Sequence, residues 1–210
     1  MTDPNHSALL LIIDRSGSMS SIRDEMVGSL TAVLREQATQ SGLLTVDVVT
    51  FDDRIETTHV QADPSTIEVR LEPRGMTALL DAIGVGVTQL GARLAAMPEH
   101  ARPSTVLVVV ATDGHENASH EWTPPAVKQL LDQQREQYDW DFVFLGANQD
   151  AITTGAELGF ARESSIDFDA APQAVQAVAQ SAGAYLSANR SGRRGSFTET
   201  DRLNASPRRS

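Results

Sequence analysis

Residues 9–18, with the sequence LLLIIDRSGS, decide how the rest of the chain is interpreted. Five consecutive apolar residues, 9–13, are typical of a short strand that is buried on both faces of a sheet. The strand ends at Asp14, and Ser16 and Ser18 follow at alternate positions. The pattern Asp-x-Ser-x-Ser therefore presents one carboxylate and two hydroxyls at the mouth of a loop. Hard divalent cations such as Mg²⁺ prefer oxygen ligands of this kind.

Two later stretches carry similar side chains in similar positions. Residues 75–83 read GMTALLDAI and place Thr77 at the start of a predicted helix over 77–96. Residues 106–114 read VLVVVATDG, which is a strongly apolar strand followed by Asp113. Ser, Thr and Asp also favour helix N-caps and turns, so a purely structural capping role is the competing interpretation of each residue.

These three stretches, in this order, resemble the metal-ion-dependent adhesion site (MIDAS) of von Willebrand factor A domains, and the resemblance spans residues 7–187. It implies that five side chains hold a divalent metal, either directly, through water or from just outside the ligand shell: Asp14, Ser16, Ser18, Thr77 and Asp113. Mg²⁺ is the expected ion, with Mn²⁺ and Ca²⁺ as alternatives. The resemblance also implies that the strands ending at Asp14 and Asp113 are neighbours in the sheet.

The expected function is a divalent-metal-dependent protein interaction module without enzymatic activity. Neutral hydroxyls do not neutralise a cation, so the metal stays electrophilic, and the resemblance implies a partner protein that presents an Asp or Glu carboxylate. The alternative is a metal-dependent hydrolase or phosphatase on a similar α/β sheet. Against it, the sequence has no Gly-x-Ser-x-Gly, Gly-x-x-x-x-Gly-Lys or Gly-x-Gly-x-x-Gly motif. Phosphoaspartate enzymes place a second acid two residues after the first, where this chain has Ser16.

Composition and targeting signals predict a cytoplasmic protein. The chain has 210 residues and no cysteine, which excludes disulfides and thiolate metal sites. Residues 1–7 are polar and do not resemble a signal peptide, and no apolar run approaches the roughly 20 residues that span a bilayer. The compact form resembles intracellular bacterial members of the family in stress-response or tellurite-resistance systems, or in AAA+ ATPase-linked complexes. The segment GANQD at 146–150 favours the stress-response group.

Charge is distributed unevenly along the chain. The net charge is −11, but residues 188–210 contain six arginines and two acids, so the first 187 residues carry −15. An acidic body argues against nucleic-acid binding, because phosphate contacts need clustered Lys and Arg. Few apolar residues occur after 187, which predicts a domain over 1–187 and a basic, disordered tail over 188–210. Within this tail, Arg-Arg-Gly-Ser at 193–196 resembles a site for basic-directed kinases, and an unmodified tail is the simpler interpretation.

Strands alternate with helices along the chain. Strands are predicted over 45–51, 55–60, 105–112, 141–146 and 164–167, and helices over 22–40, 77–96, 124–138, 150–158 and 173–186. Residues 67–71 alternate apolar with charged side chains and predict a half-exposed strand or an extended connection. This order predicts an α/β fold, a doubly wound and mostly parallel central sheet flanked by helices. Asp14 and Asp113 then lie where such sheets bind ligands, outside the carboxyl ends of strands.

Other polar residues near these motifs carry weaker predictions. Asp81 lies on the same helix face as Thr77 and is expected to orient the threonine loop by hydrogen bonds, with a role beside the metal as the alternative. Arg15 and Met76 are predicted to be exposed beside the metal and to influence partner choice. Residues 52–53 are predicted to form a turn. His115 and Glu116 follow Asp113 and are predicted to lie on the surface, with a place in the lining of the site as the alternative.

Overall fold

The computed structural model of the chain describes residues 1–147 and 150–206. A central sheet of six strands has the order β3-β2-β1-β4-β5-β6. The strands are β1 (Asp3–Asp14), β2 (Leu43–Phe51), β3 (Ile55–Ala62), β4 (Pro103–Thr112), β5 (Asp141–Ala147) and β6 (Ser165–Phe168). All neighbouring pairs are parallel except β2 and β3, which are antiparallel. The prediction of a doubly wound, mostly parallel α/β sheet is therefore confirmed.

Helices cover both faces of this sheet. They are α1 (Arg23–Ala38), α2 (Leu79–Ala96), α3 (Pro124–Tyr138), α4 (Ala151–Glu157), α5 (Pro172–Arg190) and α6 (Glu199–Ala205). Because side chains alternate along a strand, Leu9, Leu11 and Ile13 of β1 join one core with α1 and α5. Leu10 and Ile12 join a second core with α2 and α3. The apolar run of β1 is thus continuous because the strand is buried on both faces.

The direction of winding reverses at β1. From β1 the chain builds β2 and β3 on one side, and it resumes with β4 on the other side. The strands that precede Asp14 and Asp113 are consequently neighbours, as the resemblance implied. In open α/β sheets, the crevice outside the carboxyl ends of strands at such a reversal is the usual ligand site.

The segment before α2 is an extended connection and not a strand. Ile67, Val69 and Leu71 are buried in the core on the α1 side, while the alternate residues are exposed. This packing without strand pairing explains the alternating pattern of the sequence. One described helix, α2, is long and apolar enough to cross a membrane by composition, and 56% of it is buried within the fold, mainly against the sheet.

The chain after residue 187 differs from its prediction. Helix α5 continues to Arg190, and Phe197 and Ala205 are buried in the core on the α1 side. Helix α6 packs along β6, and the Arg202 guanidinium donates to the Ser165 carbonyl at 2.7 Å. The prediction of a disordered segment is therefore wrong for residues 188–206, because two apolar anchors and hydrogen-bonded arginine side chains offset the cost of ordering a polar segment.

Candidate metal centre

The candidate site lies at the carboxyl ends of β1 and β4. Asp14 is the last residue of β1, and Asp113 directly follows Thr112, the last residue of β4. The loop after Asp14 turns at once into a short 3₁₀ helix over Gly17–Ser21, which brings the Ser18 side chain back over the strand ends. The fold thus places the two Asp residues of the predicted set next to each other.

The Asp14 side chain is fixed from two directions. It is fully buried, and its Oδ1 accepts a hydrogen bond from the Ser16 backbone N–H at 2.6 Å. Its Oδ2 accepts from the Thr112 hydroxyl, also at 2.6 Å. Burial raises the pKa of the Asp14 carboxyl, although the hydrogen bonds from Thr112 and Ser16 act in the opposite direction.

A chain of hydroxyls connects the first loop to Asp113. The Ser16 and Ser18 hydroxyl oxygens lie 3.0 Å apart, and the Ser18 hydroxyl donates to Asp113 Oδ1 at 2.6 Å. Burial is the main cause that raises the pKa of the Asp113 carboxyl; the Ser18 hydrogen bond lowers it, and the negative charge of Asp14 raises it further. Direct side-chain hydrogen bonds therefore join Ser16, Ser18 and Asp113, and the Asp14 carboxylate connects to this chain through the Ser16 backbone N–H.

Thr77 approaches the same point from the loop before α2. A Cβ atom added to Gly114 would lie 2.7 Å from Thr77 Oγ1 and 3.5 Å from Asp14 Oδ2. Gly114 is thus the residue that lets the threonine side chain come close to the β4 end, and any larger residue there would push it away. The structure brings all five predicted site residues to one end of the sheet.

These residues fit a divalent cation. Within residues 1–147 and 150–206, neither Asp14 nor Asp113 forms an ion pair with a basic side chain. Two adjacent carboxylates, one of them fully buried, thus have no cationic partner in that part of the chain. The same part of the chain holds no cluster of three or more His, Cys, Asp or Glu placed for a metal, so a cation here would also need the hydroxyls. Such a ligand set suits Mg²⁺ or Mn²⁺ better than a softer metal.

Three residues outside the predicted set of five support the site: Thr112, Asn117 and Glu116. Thr112 holds Asp14, as described above. The Asn117 side chain accepts from the Thr77 backbone N–H at 2.9 Å, and the Asn117 backbone N–H donates to the Thr77 carbonyl at 3.1 Å. The Glu116 carboxylate accepts from the backbone N–H of Leu80 at 2.9 Å and so caps the start of α2. All three lie within four residues of Asp113 in the sequence, which is the one signal that could have identified them.

Two of the weaker predictions need correction. Arg15 is buried and not exposed, because its guanidinium pairs with the buried Asp52. The Asp81 carboxylate does not bond to the threonine loop; it accepts three backbone N–H groups of residues 120–122 at 2.7–3.0 Å. It therefore shapes the loop that follows Asp113. Met76 is 54% exposed, as predicted.

Comparisons with known proteins support the fold. Family models and curated proteins give no match to the sequence. Among solved structures, proximal thread matrix protein 1 from the mussel byssus, with a zinc-occupied MIDAS motif, matches with a TM-score of 0.62 at 17% identity, over 86% of this chain and 46% of that chain. A von Willebrand factor type A structure from Catenulispora acidiphila gives 0.60 at 16% identity, over 86% and 42%. The vWF domain of the type V pili tip protein Mfa5 from Porphyromonas gingivalis gives 0.61 at 10% identity, over 92% and 98%.

These matches cover different shares of the neighbouring chains. This chain spans 46% of the mussel chain and 42% of the Catenulispora chain, but it corresponds to 98% of the pilus-tip domain. It is thus about the size of one such domain. Identities of 10–17% support the shared architecture and nothing finer. The described residues of this chain have the fold of von Willebrand factor A domains.

Proposed function

We propose that this protein is a divalent-metal-dependent interaction module that binds a carboxylate of a partner protein. One observation carries the proposal: Asp14 and Asp113 lie together at the strand ends, without a basic partner in the described part of the chain, next to three hydroxyl side chains. The zinc-occupied MIDAS motif of the mussel protein lends support, because that protein has the same fold.

The site residues fall into two groups, the charged carboxylates and the neutral hydroxyls. Asp14 and Asp113 would supply the negative charge that holds the cation, and Ser16, Ser18 and Thr77 would supply neutral oxygen ligands. A bound cation, Mg²⁺ being the expected one, supplies a Lewis-acidic position for an Asp or Glu carboxylate of the partner. Met76, which is exposed beside Thr77, offers an apolar contact to the same partner.

The cellular setting is a finer proposal that rests on the sequence resemblance. We propose a stress-response, tellurite-resistance or AAA+ ATPase-linked complex in the cytoplasm as the place of action. Of the segment at 146–150 that favoured the stress-response group, residues 148 and 149 lie outside the described residues. We also propose that the protein is not an enzyme.

Thermal denaturation with and without Mg²⁺ tests the metal site. We expect Mg²⁺ to raise the melting temperature of the wild type and of Glu36→Gln, which removes an exposed acid on α1, but not of Asp14→Ala. Because Asp14 is fully buried and its loss is a risk to folding, Ser18→Ala serves as a second variant with an exposed side chain. Equal Mg²⁺ responses of the wild type and both site variants would refute the metal assignment.

A capture experiment tests the partner. The wild type and Ser18→Ala are used as baits in lysate of the host, each with Mg²⁺ and with EDTA. We expect one protein to be captured by the wild type in Mg²⁺, and not in EDTA or by Ser18→Ala. Changing the candidate Asp or Glu of that captured protein to Ala should abolish its capture. Identical captures in every lane would contradict metal-bridged binding.

A phosphatase screen with Mg²⁺ and Mn²⁺ tests the hydrolase alternative. Turnover by the wild type that Asp14→Ala abolishes would favour that alternative.

A further inference from the structure

A buried charged cluster lies next to the candidate metal centre, at the carboxyl end of β2. The Asp52 side chain is fully buried there. Its Oδ1 accepts from the Arg54 backbone N–H at 2.7 Å, and its Oδ2 lies 2.8 Å from Arg74 Nε and 3.1 Å from Arg15 Nε. Arg15 also pairs with Glu56 at 2.6 Å, so that two acids face two guanidinium groups. We call Asp52, Arg15 and Arg74 the Asp52 cluster.

The two arginines of the Asp52 cluster come from the two loops that carry the hydroxyls. Arg15 directly precedes Ser16, and Arg74 lies three residues before Thr77. The backbones of these loops also meet: the Arg74 N–H donates to the Arg15 carbonyl at 2.9 Å. The Asp52 carbonyl accepts the Ala78 N–H at 2.8 Å. One residue at the end of β2 is therefore bonded to both loops.

Electrostatics keep this arrangement together. Burial alone would raise the pKa of the Asp52 carboxyl, but the hydrogen bonds from Arg74 and Arg54 and the charge of Arg15 outweigh it, so that the pKa lies below its usual value. Asp52 is therefore ionised at neutral pH. A buried carboxylate is costly unless it stays paired, so the guanidinium groups and the loops that carry them are held in place.

We infer that Asp52 is a positioning residue for the metal centre, because its carboxylate holds the Ser16–Ser18 loop and the Thr77 loop at the mutual distance that a cation requires. The inference rests on the proposed function of the site. Among the described residues, the hydrogen bonds and ion pairs of these three side chains go to one another, to Glu56 and to the Arg54 backbone and not to the five site side chains, so the cluster acts through the two loops. Preorganised supporting groups of this kind commonly contribute 10–100-fold to metal affinity.

The same strand provides a matched control. Asp47 of β2 is also buried, with 2% exposure, and it also pairs with an arginine, Arg93, and accepts a backbone N–H, that of Gln61. Its partners belong to α2 and β3 and not to either hydroxyl-bearing loop. Asp47→Asn therefore reproduces the loss of a buried ion pair in β2 without loosening the site.

The test compares Asp52→Asn with Asp47→Asn by two measurements. Calorimetric titration with Mg²⁺ should show affinity about 10–100-fold weaker for Asp52→Asn and close to wild type for Asp47→Asn. Hydrogen exchange of the metal-free proteins should show faster exchange over 15–18 and 74–78 in Asp52→Asn alone. The second measurement needs no metal, so it still tests the inference if the wild type fails to bind Mg²⁺.

The possible outcomes distinguish the positioning role of Asp52 from the proposed metal-dependent function. Wild-type affinity and wild-type loop exchange in Asp52→Asn would overturn the positioning role, as would equal effects in both variants, which would indicate a general loss of stability. Absence of Mg²⁺ binding by the wild type itself would instead contradict the proposed function. Faster exchange confined to the two loops of Asp52→Asn would support the positioning role in either case.

Discussion

At the scale of single residues, the negative charge of Asp113 lowers the stability of the metal-free protein. Its folded-state pKa is raised from 3.8, chiefly by burial, so the folded chain binds this proton more tightly than the unfolded chain. Ionisation therefore costs stability at neutral pH, and this cost decreases as the pH falls through the raised pKa. Charged groups that oppose folding are common where function requires them.

Asp113→Asn should consequently stabilise the metal-free protein. The amide keeps an oxygen that can accept the Ser18 hydrogen bond, but it has no charge. In EDTA at pH 7 we expect its melting temperature to exceed that of the wild type, because the buried negative charge is gone. In saturating Mg²⁺ the order should reverse.

Thermal denaturation at pH 5 and pH 7 in EDTA and in Mg²⁺ checks this prediction. The advantage of Asp113→Asn in EDTA should be smaller at pH 5, because the wild type is then closer to its protonated form. Glu36→Gln controls for the removal of an exposed charge. A variant that melts below the wild type in EDTA would show that the Asp113 carboxylate stabilises the fold without any metal.

The sequence identified the candidate site residues because each lies in or beside a local motif. Asp14 and Asp113 follow strongly apolar strands, and Thr77 precedes an amphipathic helix. Asp52 also follows a buried strand, β2, so the same rule could have singled it out, but the sequence suggested only a turn. The partners of Asp52 and Asp81 depend on contacts between loops that are far apart in the chain, and no local pattern encodes them.

At the scale of elements, the six strands and the helices α1–α5 were predictable from the sequence, and helix α6 was not. The strands and the helices α1–α5 have enough apolar positions to reveal their period. Helix α6 has seven residues and forms only because it is capped and docked. Its cap joins Thr198 to Asp201, whose carboxylate accepts from the Thr198 N–H at 2.8 Å. The residues of this capping box are visible in the sequence, but the basic and polar composition of the segment led to a prediction of disorder.

Thr198→Ala tests whether the capping box holds α6 in place. The Thr198 hydroxyl accepts from the Asp201 backbone N–H at 3.1 Å, and this bond is lost in the variant. Removal of a Thr N-cap costs about 1 kcal/mol, so we expect faster hydrogen exchange over 197–206 and little change elsewhere. Thr200→Ala, an exposed site on the same helix, is the control. Unchanged protection of α6 would mean that packing alone fixes this helix.

At the scale of the whole molecule, the candidate metal centre lies at one end of the sheet, and the C-terminal segment after α5 begins at the other end. The site lies at the carboxyl ends of β1 and β4. The end of α5 lies at the amino ends of β2 and β5, where Arg190 donates to the Gly42 carbonyl at 3.3 Å and Tyr185 donates to Asp141 at 2.9 Å. Phe197 packs nearby, with its ring centroid 5.4 Å from that of Tyr185.

This separation predicts that stability and metal affinity can be changed independently. Phe197→Ala removes a ring that is buried in the core on the α1 side, so we expect a loss of about 3 kcal/mol in urea denaturation. Leu203→Ala, at a half-exposed position of α6, should cost less than about 0.5 kcal/mol. The Mg²⁺ affinity of folded Phe197→Ala should stay within about twofold of wild type, because changes at distant sites are usually independent. A loss of affinity as large as that expected for Asp52→Asn would instead mean that the core couples the C-terminal segment to the site. In that case α5 and α6, and not only the loops around Asp52, would set how well the hydroxyls are placed.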